Sequence, residues 1–345
     1  MIKEKLFKKL DHNWIQCLAC HWYCRIPPGK IGICGVRENL NGKLNLMVEN
    51  QAVGLHPDPV EKKPLYHFLP GSKALSFGTL GCNFACDFCQ NWFQSQSPKR
   101  KTRKEVLRLI SQYSENISPK QIVKLAQDLN CLSIAYTYNE PAVFIEYALA
   151  TMAEAKKAGL KNVFVTNGFE SKESFELAKD YLDAANIDLK SFKPDFYQKI
   201  CHAKIEPVLE NIKRYFQAGV WIELTTLVIP GLNDSVFELE QIAKFIAGIS
   251  QDIPWHTTAF HPDFKMLDKK PTGLAKLKQA WQIGKKAGLK YVYTGNVFDP
   301  QHSATFCPSC GKLLISRNEF FVANVVGIKE GKCQYCQAKI AGVWS

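Results

Sequence analysis

The chain lacks any run of eighteen or more consecutive apolar residues, so no segment reads as a membrane-spanning helix. It has no low-complexity tract. Its basic opening, MIKEKLFKKL, is not followed by the apolar stretch of a secretory leader, and a soluble cytoplasmic protein is expected. Acidic residues are in short supply, 32 against 44 Lys and Arg, which gives a net charge of +12. That balance permits an anionic partner such as a nucleic acid or a phosphorylated substrate. The densest basic run, Lys99-Arg100-Lys101-Thr102-Arg103-Lys104, has no aromatic residues interleaved. It makes a weak nucleic-acid platform and reads as a solvated linker.

Cysteine is abundant, with 13 residues in 345. In a reducing compartment this excludes a disulfide framework, and the spacing points to metal. The cysteines sort into Cys17, Cys20, Cys24 and Cys34; then Cys82, Cys86 and Cys89; then Cys307, Cys310, Cys333 and Cys336. Cys131 and Cys201 are left over and read as small core residues.

Between the cysteine groups an order repeats: short apolar run, turn, amphipathic run. Strands are expected near Ala74, Cys131, Asn162, Ala185, Val220 and Pro254, with a further short run at Lys290–Tyr293. Helices are expected between them. One opens on Ser118-Pro119-Lys120-Gln121, a capping box with proline at the first helical position. Another runs from Pro141 to a C-cap at Gly159, and others cover 171–182, 234–249 and 272–288. Six β/α units suggest a partial parallel (β/α)6 barrel, with a doubly wound open sheet as the alternative. In either, polar residues that follow each strand gather on one rim, where an active site is expected.

Cys82, Cys86 and Cys89 have C-x3-C-x2-C spacing directly after the first strand. A four-iron cluster held by three cysteines keeps one iron open for a ligand. Zinc competes, but no fourth His or Cys is near in sequence. Cys307-x2-Cys310 and Cys333-x2-Cys336 form a zinc-ribbon pattern whose closed count of thiolates implies structure, with RNA or protein docking as the functional alternative. Cys17, Cys20, Cys24 and Cys34 have C-x2-C-x3-C-x9-C spacing, which zinc or an auxiliary iron–sulfur cluster could use. The general commonness of closed S4 zinc sites favours zinc. Domains are expected at 1–72 (a cysteine-rich cap), 73–296 (the core) and 297–345 (the ribbon).

The triplet, with Phe88 before its last cysteine, resembles the signature of radical SAM enzymes. The likeness spans nearly the whole chain: 17–37, 57–72, 81–96, 136–141 (YTYNEP), 260–267, 290–297 and 307–344 are similar to the AmmeMemoRadiSam-system radical SAM proteins, close to the pyruvate formate-lyase activating enzymes. His21-Trp22 departs from the Pro-His expected there. The resemblance implies a [4Fe–4S] cluster on Cys82, Cys86 and Cys89 and reductive cleavage of S-adenosylmethionine to methionine and a 5′-deoxyadenosyl radical. It further implies a one-electron donor of flavodoxin or ferredoxin type. Carried over residue by residue, Asn139 and Glu140 fall where the amino group of S-adenosylmethionine binds. Thr166, Asn167, Asp188 and Lys190 fall where the methionine and ribose parts are held. Phe88, Gln90 and Asn91 would line the adenine, and His261 would contact ribose or position substrate. The substrate is expected to be a protein, a glycyl-radical enzyme among the candidates, or a small molecule. RNA modification and a non-catalytic zinc-binding interaction protein are the alternatives.

Overall fold

The computed structural model describes residues 6–318 and 321–345. Seven parallel strands form its centre: β1 Lys73–Gly78, β2 Ser133–Tyr136, β3 Lys161–Thr166, β4 Ala184–Asp188, β5 Trp221–Val228, β6 Trp255–Ala259 and β7 Val292–Gly295. Each pairs with the next in chain order. A doubly wound sheet reverses its order at a switch point. This one never does, so the partial barrel is the correct reading of the two.

The sheet is larger than six units. The seventh parallel strand lies two residues beyond the expected 290–293 run. Gln51–Pro59, expected within the N-terminal cap, pairs antiparallel with β1, and Glu115–Asn116 pairs with it in turn. Ser118 and Gln121 make the expected capping box for the helix Pro119–Asp128. The segment opened by Pro141 begins as a 3-10 turn, Pro141–Phe144, continues as the helix Ile145–Lys157 and ends near Gly159 at φ 75°. The basic run at 99–104 is no free linker: Thr102 caps the helix Arg103–Tyr113 through Glu105, and Arg103 pairs with buried Glu38 at 3.0 Å. A helix missed in the sequence, Glu206–Gln217, joins β4 to β5.

The floor of the barrel is closed by the chain itself. Val60, Leu65, Phe68 and Leu69 pack on Ala74, Ala135, Val163 and Ala184 near the starts of β1 to β4. Alanine and valine there leave room for the larger residues of the plug. Glu223 on β5 fixes it: its carboxylate accepts from the backbone N–H of Tyr66 at 2.9 Å and of His67 at 2.7 Å, and lies 2.7 Å from His256 Nε2. The C-terminal ribbon docks on the same plug. Arg317 donates to Tyr66 O at 2.7 Å with its guanidinium 4.2 Å from the Tyr66 ring centroid, and His67 Nδ1 meets Ala341 O at 2.7 Å.

The N-terminal cap lies at the other end, over the loops after β2 and β3. His21 N donates to Phe169 O, Ser174 Oγ donates to Ala19 O, and Cys20 bridges Glu170. Arg37, 2 % exposed, donates to Val143 O and pairs with Glu146. Among the described residues no helix is long and apolar enough to cross a membrane.

Glu223→Ala strands two backbone donors, the Trp221 indole N–H and His256 at a fully buried position. It should lower stability by about 3–5 kcal/mol, read as a shifted urea midpoint. A loss below about 1 kcal/mol would mean the plug is held without this carboxylate.

Candidate active site

The loop after β1, which carries the three cysteines, is entered where the backbone leaves no room for side chains. A Cβ on Gly78 would lie 2.3 Å from Thr137 O and 2.6 Å from Asn139 Oδ1. Gly81, at φ 91°, would place one 2.7 Å from Cys34 O. Asn139 braces the turn: its Nδ2 donates to Thr79 Oγ1 at 3.1 Å and Gly81 O at 2.6 Å, and its Oδ1 accepts from Thr79 N at 3.2 Å. The amide expected to meet a ligand's amino group is thus engaged with the cysteine loop.

The loop opens on a cavity of about 260 Å³ at the C-terminal ends of the strands. Cys82, Cys86, Phe88, Cys89, Gln90, Asn91, Asn139, Glu140, Thr166, Asn167, Asp188 and Lys190 all reach its wall. His261 does not; it is exposed just beyond β6 and outside the lining residues. Sequence reading missed Thr225 and Leu227 on β5, Thr258 on β6, and Asn296 beyond β7. Thr225 and Leu227 alternate along one strand, the period-two signal of a single face. That signal cannot say which face looks inward.

Two charged groupings stand in this cavity. Glu140, 1 % exposed, accepts from Thr166 Oγ1 at 2.9 Å, Asn167 N at 2.8 Å and Ala142 N at 3.2 Å. Burial outweighs these donors and pushes its pKa up to about 7. Asp188 and Lys190 pair at 2.7 Å, with Lys190 Nζ 5.6 Å from the Phe88 ring centroid. Burial opposes the lysine's charge, but Asp188, Cys86 and Cys201 hold its pKa above the ordinary value.

The thiols are also held from water. Burial pushes Cys82 up to about 12 and raises Cys89, whose sulfur lies 3.2 Å from Ser95 Oγ. Cys86 is raised first by hydrogen bonding with Cys201 and then by burial. Cys201 is buried, as a core residue should be, but it stands against a cysteine of the triplet. It ends a π-helical turn, Tyr197–Cys201, and its carbonyl accepts from Ala85 N at 3.1 Å. Cys131 is buried at the start of β2.

The other cysteine sets differ in geometry. Cys307, Cys310, Cys333 and Cys336 have sulfurs within 4.8 Å of one another, with pairs at 3.6 and 3.7 Å. A tetrahedral zinc with bonds of about 2.3 Å spaces its sulfurs ~3.8 Å apart. Cys17, Cys20, Cys24 and Cys34 converge under the cap: Cys17 N donates to Cys24 O at 2.9 Å, and Cys20 is raised by burial and by the other three thiols.

A cysteine-lined cavity at the C-terminal rim of a parallel sheet, with a buried carboxylate and an ion pair, is the site of a cofactor-dependent enzyme. The sequence model of the Radical SAM superfamily matches residues 77–246. An uncharacterized protein of Methanocaldococcus jannaschii is 39% identical over 343 residues, 99% of each chain. A second protein of that organism, named provisionally as a glycyl-radical enzyme activating enzyme, is 26% identical over 193 residues, covering 55% of this chain and 68% of that one. A GTP 3′,8-cyclase of Nautilia profundicola is 24% identical over 257 residues, covering 71% and 77%. The chain belongs to the radical SAM superfamily, and it is an enzyme. The family implies a [4Fe–4S] cluster and S-adenosylmethionine.

Glu140 gives a pH signature. With its folded pKa near 7, above the ordinary 4.5, it favours the fold when neutral, and that contribution falls as pH rises through this window. A bound amino group wants the carboxylate instead. S-adenosylmethionine should therefore bind several-fold more weakly at pH 6 than at pH 8. Glu140→Gln should weaken binding about tenfold or more and flatten that dependence. Equilibrium dialysis of the anaerobic protein checks both; an unchanged slope in the variant would assign the titration elsewhere.

Proposed function

We propose that Cys82, Cys86 and Cys89 hold the [4Fe–4S] cluster and that Glu140, Thr166, Asn167, Asp188 and Lys190 hold S-adenosylmethionine beside it. The substrate of this reading is a protein, of the glycyl-radical enzyme class. The observation that carries the proposal is the convergence of three buried thiols and a buried, cation-free carboxylate on one cavity. The donor set fits: three thiolates leave one iron position for a ligand, and Glu140 answers the ligand's amino group. Held by Cys82, Cys86 and Cys89, a cluster would supply the one electron for reductive cleavage of S-adenosylmethionine to methionine and a 5′-deoxyadenosyl radical, which would abstract hydrogen from substrate.

The chain's own residues do the rest. Lys190 offers its ammonium to the methionine carboxylate, with Asp188 fixing the lysine's direction. Thr166 and the Asn167 N–H orient Glu140, so the carboxylate need not reorganise when a ligand arrives. Phe88 gives the adenine an apolar wall. Phe84, Val165 and Leu227 complete an apolar lining that keeps water from a reactive radical.

A protein substrate is supported by the rim. Trp92, 41 % exposed, stacks on Phe264 at 5.3 Å beside the cavity residue Asn91. Phe298, 64 % exposed, follows the cavity residue Asn296 by two positions, and Leu267 is 72 % exposed. Exposed aromatic and aliphatic side chains around a concave site are the composition of a protein-docking surface. The name of the activating-enzyme relative agrees with this choice.

Zinc belongs to the same reading, in the C-terminal set. Its sulfur spacing suits the ion, and a module of this size has too small a core to fold without one.

Cys82→Ala, Cys86→Ala and Cys89→Ala should each abolish 5′-deoxyadenosine formation from S-adenosylmethionine and dithionite under anaerobic conditions. Cys307→Ala should retain it while lowering the unfolding midpoint. Loss of cleavage in a fully folded Cys307→Ala protein would overturn this division of roles.

A further inference from the structure

We infer that Cys17, Cys20, Cys24 and Cys34 hold an iron–sulfur cluster, where cysteine count alone favours zinc. The chain carries its own two standards for comparison. The ribbon set shows what four thiols look like when arranged for one small ion: every sulfur within 4.8 Å of every other. Among the described residues it is the one group of three or more such side chains with that closeness. The Cys82, Cys86 and Cys89 set, which the family and the cavity make a cluster site, is more open. In the N-terminal set likewise no three sulfurs lie within 4.8 Å of one another. A cubane spreads its thiolates over separate irons, whereas zinc draws all four to one point.

The surroundings agree. A structural zinc serves a module that has no core of its own. The cap instead shares the barrel's core: Leu6, Ile15, Ile26, Val36, Leu44 and Leu46 are buried in the same apolar cluster as the barrel residues. Hydrogen bonds of Arg37 and Ser174 join it to the segments after β2 and β3. The site also adjoins the active-site loop. Cys34 O lies against Gly81, the residue before Cys82, and the Trp22 indole donates to Asn83 O at 2.8 Å. The buried guanidinium of Arg37 comes within 3.6 Å of Cys17 Sγ, an N–H group turned toward a thiolate of the kind that tunes cluster potentials. Iron in this place gives the enzyme a second one-electron centre beside the first, which zinc would deny it.

The test uses the full chain with Cys82→Ala, Cys86→Ala and Cys89→Ala combined, made anaerobically and reconstituted with ferrous iron and sulfide. It should keep about four irons, about four sulfides and about one zinc per chain. Its reduced form should give an electron paramagnetic resonance signal that S-adenosylmethionine leaves unchanged. About two zincs and no iron would overturn the inference. Because the triple variant can fail to fold, the unaltered chain is measured as well. About eight irons, about one zinc and two reduced signals, one responding to S-adenosylmethionine, support the proposal; about four irons and two zincs overturn it. Iron in the triple variant with no S-adenosylmethionine-sensitive signal in the unaltered chain would sink the catalytic reading and leave this one standing.

Discussion

The constraint on which the structure depends is the burial of ionisable groups at both ends of one barrel. Desolvation acts against each of them, and each is kept by partners that only the complete fold supplies. At the floor, Glu223 is tied by two backbone N–H groups and His256, which hold its carboxyl below the ordinary range despite complete burial. At the rim, Glu140 has a hydroxyl and two N–H groups but, among the described residues, no cation paired with it, and burial prevails. The thiols of the triplet are raised as well, Cys82 and Cys89 chiefly by burial and Cys86 first by hydrogen bonding with Cys201. Metal binding must displace their protons, so it is coupled to pH and to the fold itself.

Much of the architecture could be read from local signals. Short apolar runs, the Ser118 capping box and the Gly159 C-cap are decided within a few residues, so they appear in the sequence. Strand order is decided by partners more than twenty residues away, and spacing suggested the barrel without excluding an open sheet. The antiparallel Gln51–Pro59 strand was hidden for a similar reason: its Gly, His and prolines do not look like a buried strand, and it sits toward an edge where they are tolerated. The helix Glu206–Gln217 follows a π-helical turn that interrupts the regular pattern. The rim residues named from the family resemblance mostly came together because they follow strands in sequence. Thr225, Leu227 and Thr258 lie within strands, where inward and outward positions look alike until the sheet is curved.

Cys201 shows what composition conceals. A lone buried cysteine is most economically a small apolar residue, and its burial agrees. Its neighbourhood makes the difference: the π-helical turn brings it to Cys86, and its carbonyl receives an N–H from the cysteine loop. Asn139 shows the converse. Its place in the YTYNEP stretch suggested ligand contact, yet its side chain is engaged three times over in shaping the turn that presents the cysteines. Asn139 is therefore engaged in shaping the turn that carries the cysteines, and Glu140, the next residue, lines the cavity.

The ribbon and the cavity lie at opposite ends, yet one segment touches both. Residues 60–69 close the barrel floor, and Pro64 within them lines the cavity. Asn186 on β4 donates to Pro64 O at 2.8 Å, Glu223 holds Tyr66 and His67, and Arg317 of the ribbon holds Tyr66 from below. Docking of the ribbon adds the Arg317–Tyr66 and His67–Ala341 contacts to the partners these residues already have. A ribbon that came undone would therefore leave the plug with fewer anchors, while Glu140, Thr166, Asn167, Asp188 and Lys190 stand on other elements. Closed thiolate sites distant from a reaction are usually treated as inert clamps. Here the clamp reaches the cavity floor through four consecutive residues, and stability at one end helps set the shape of the site at the other.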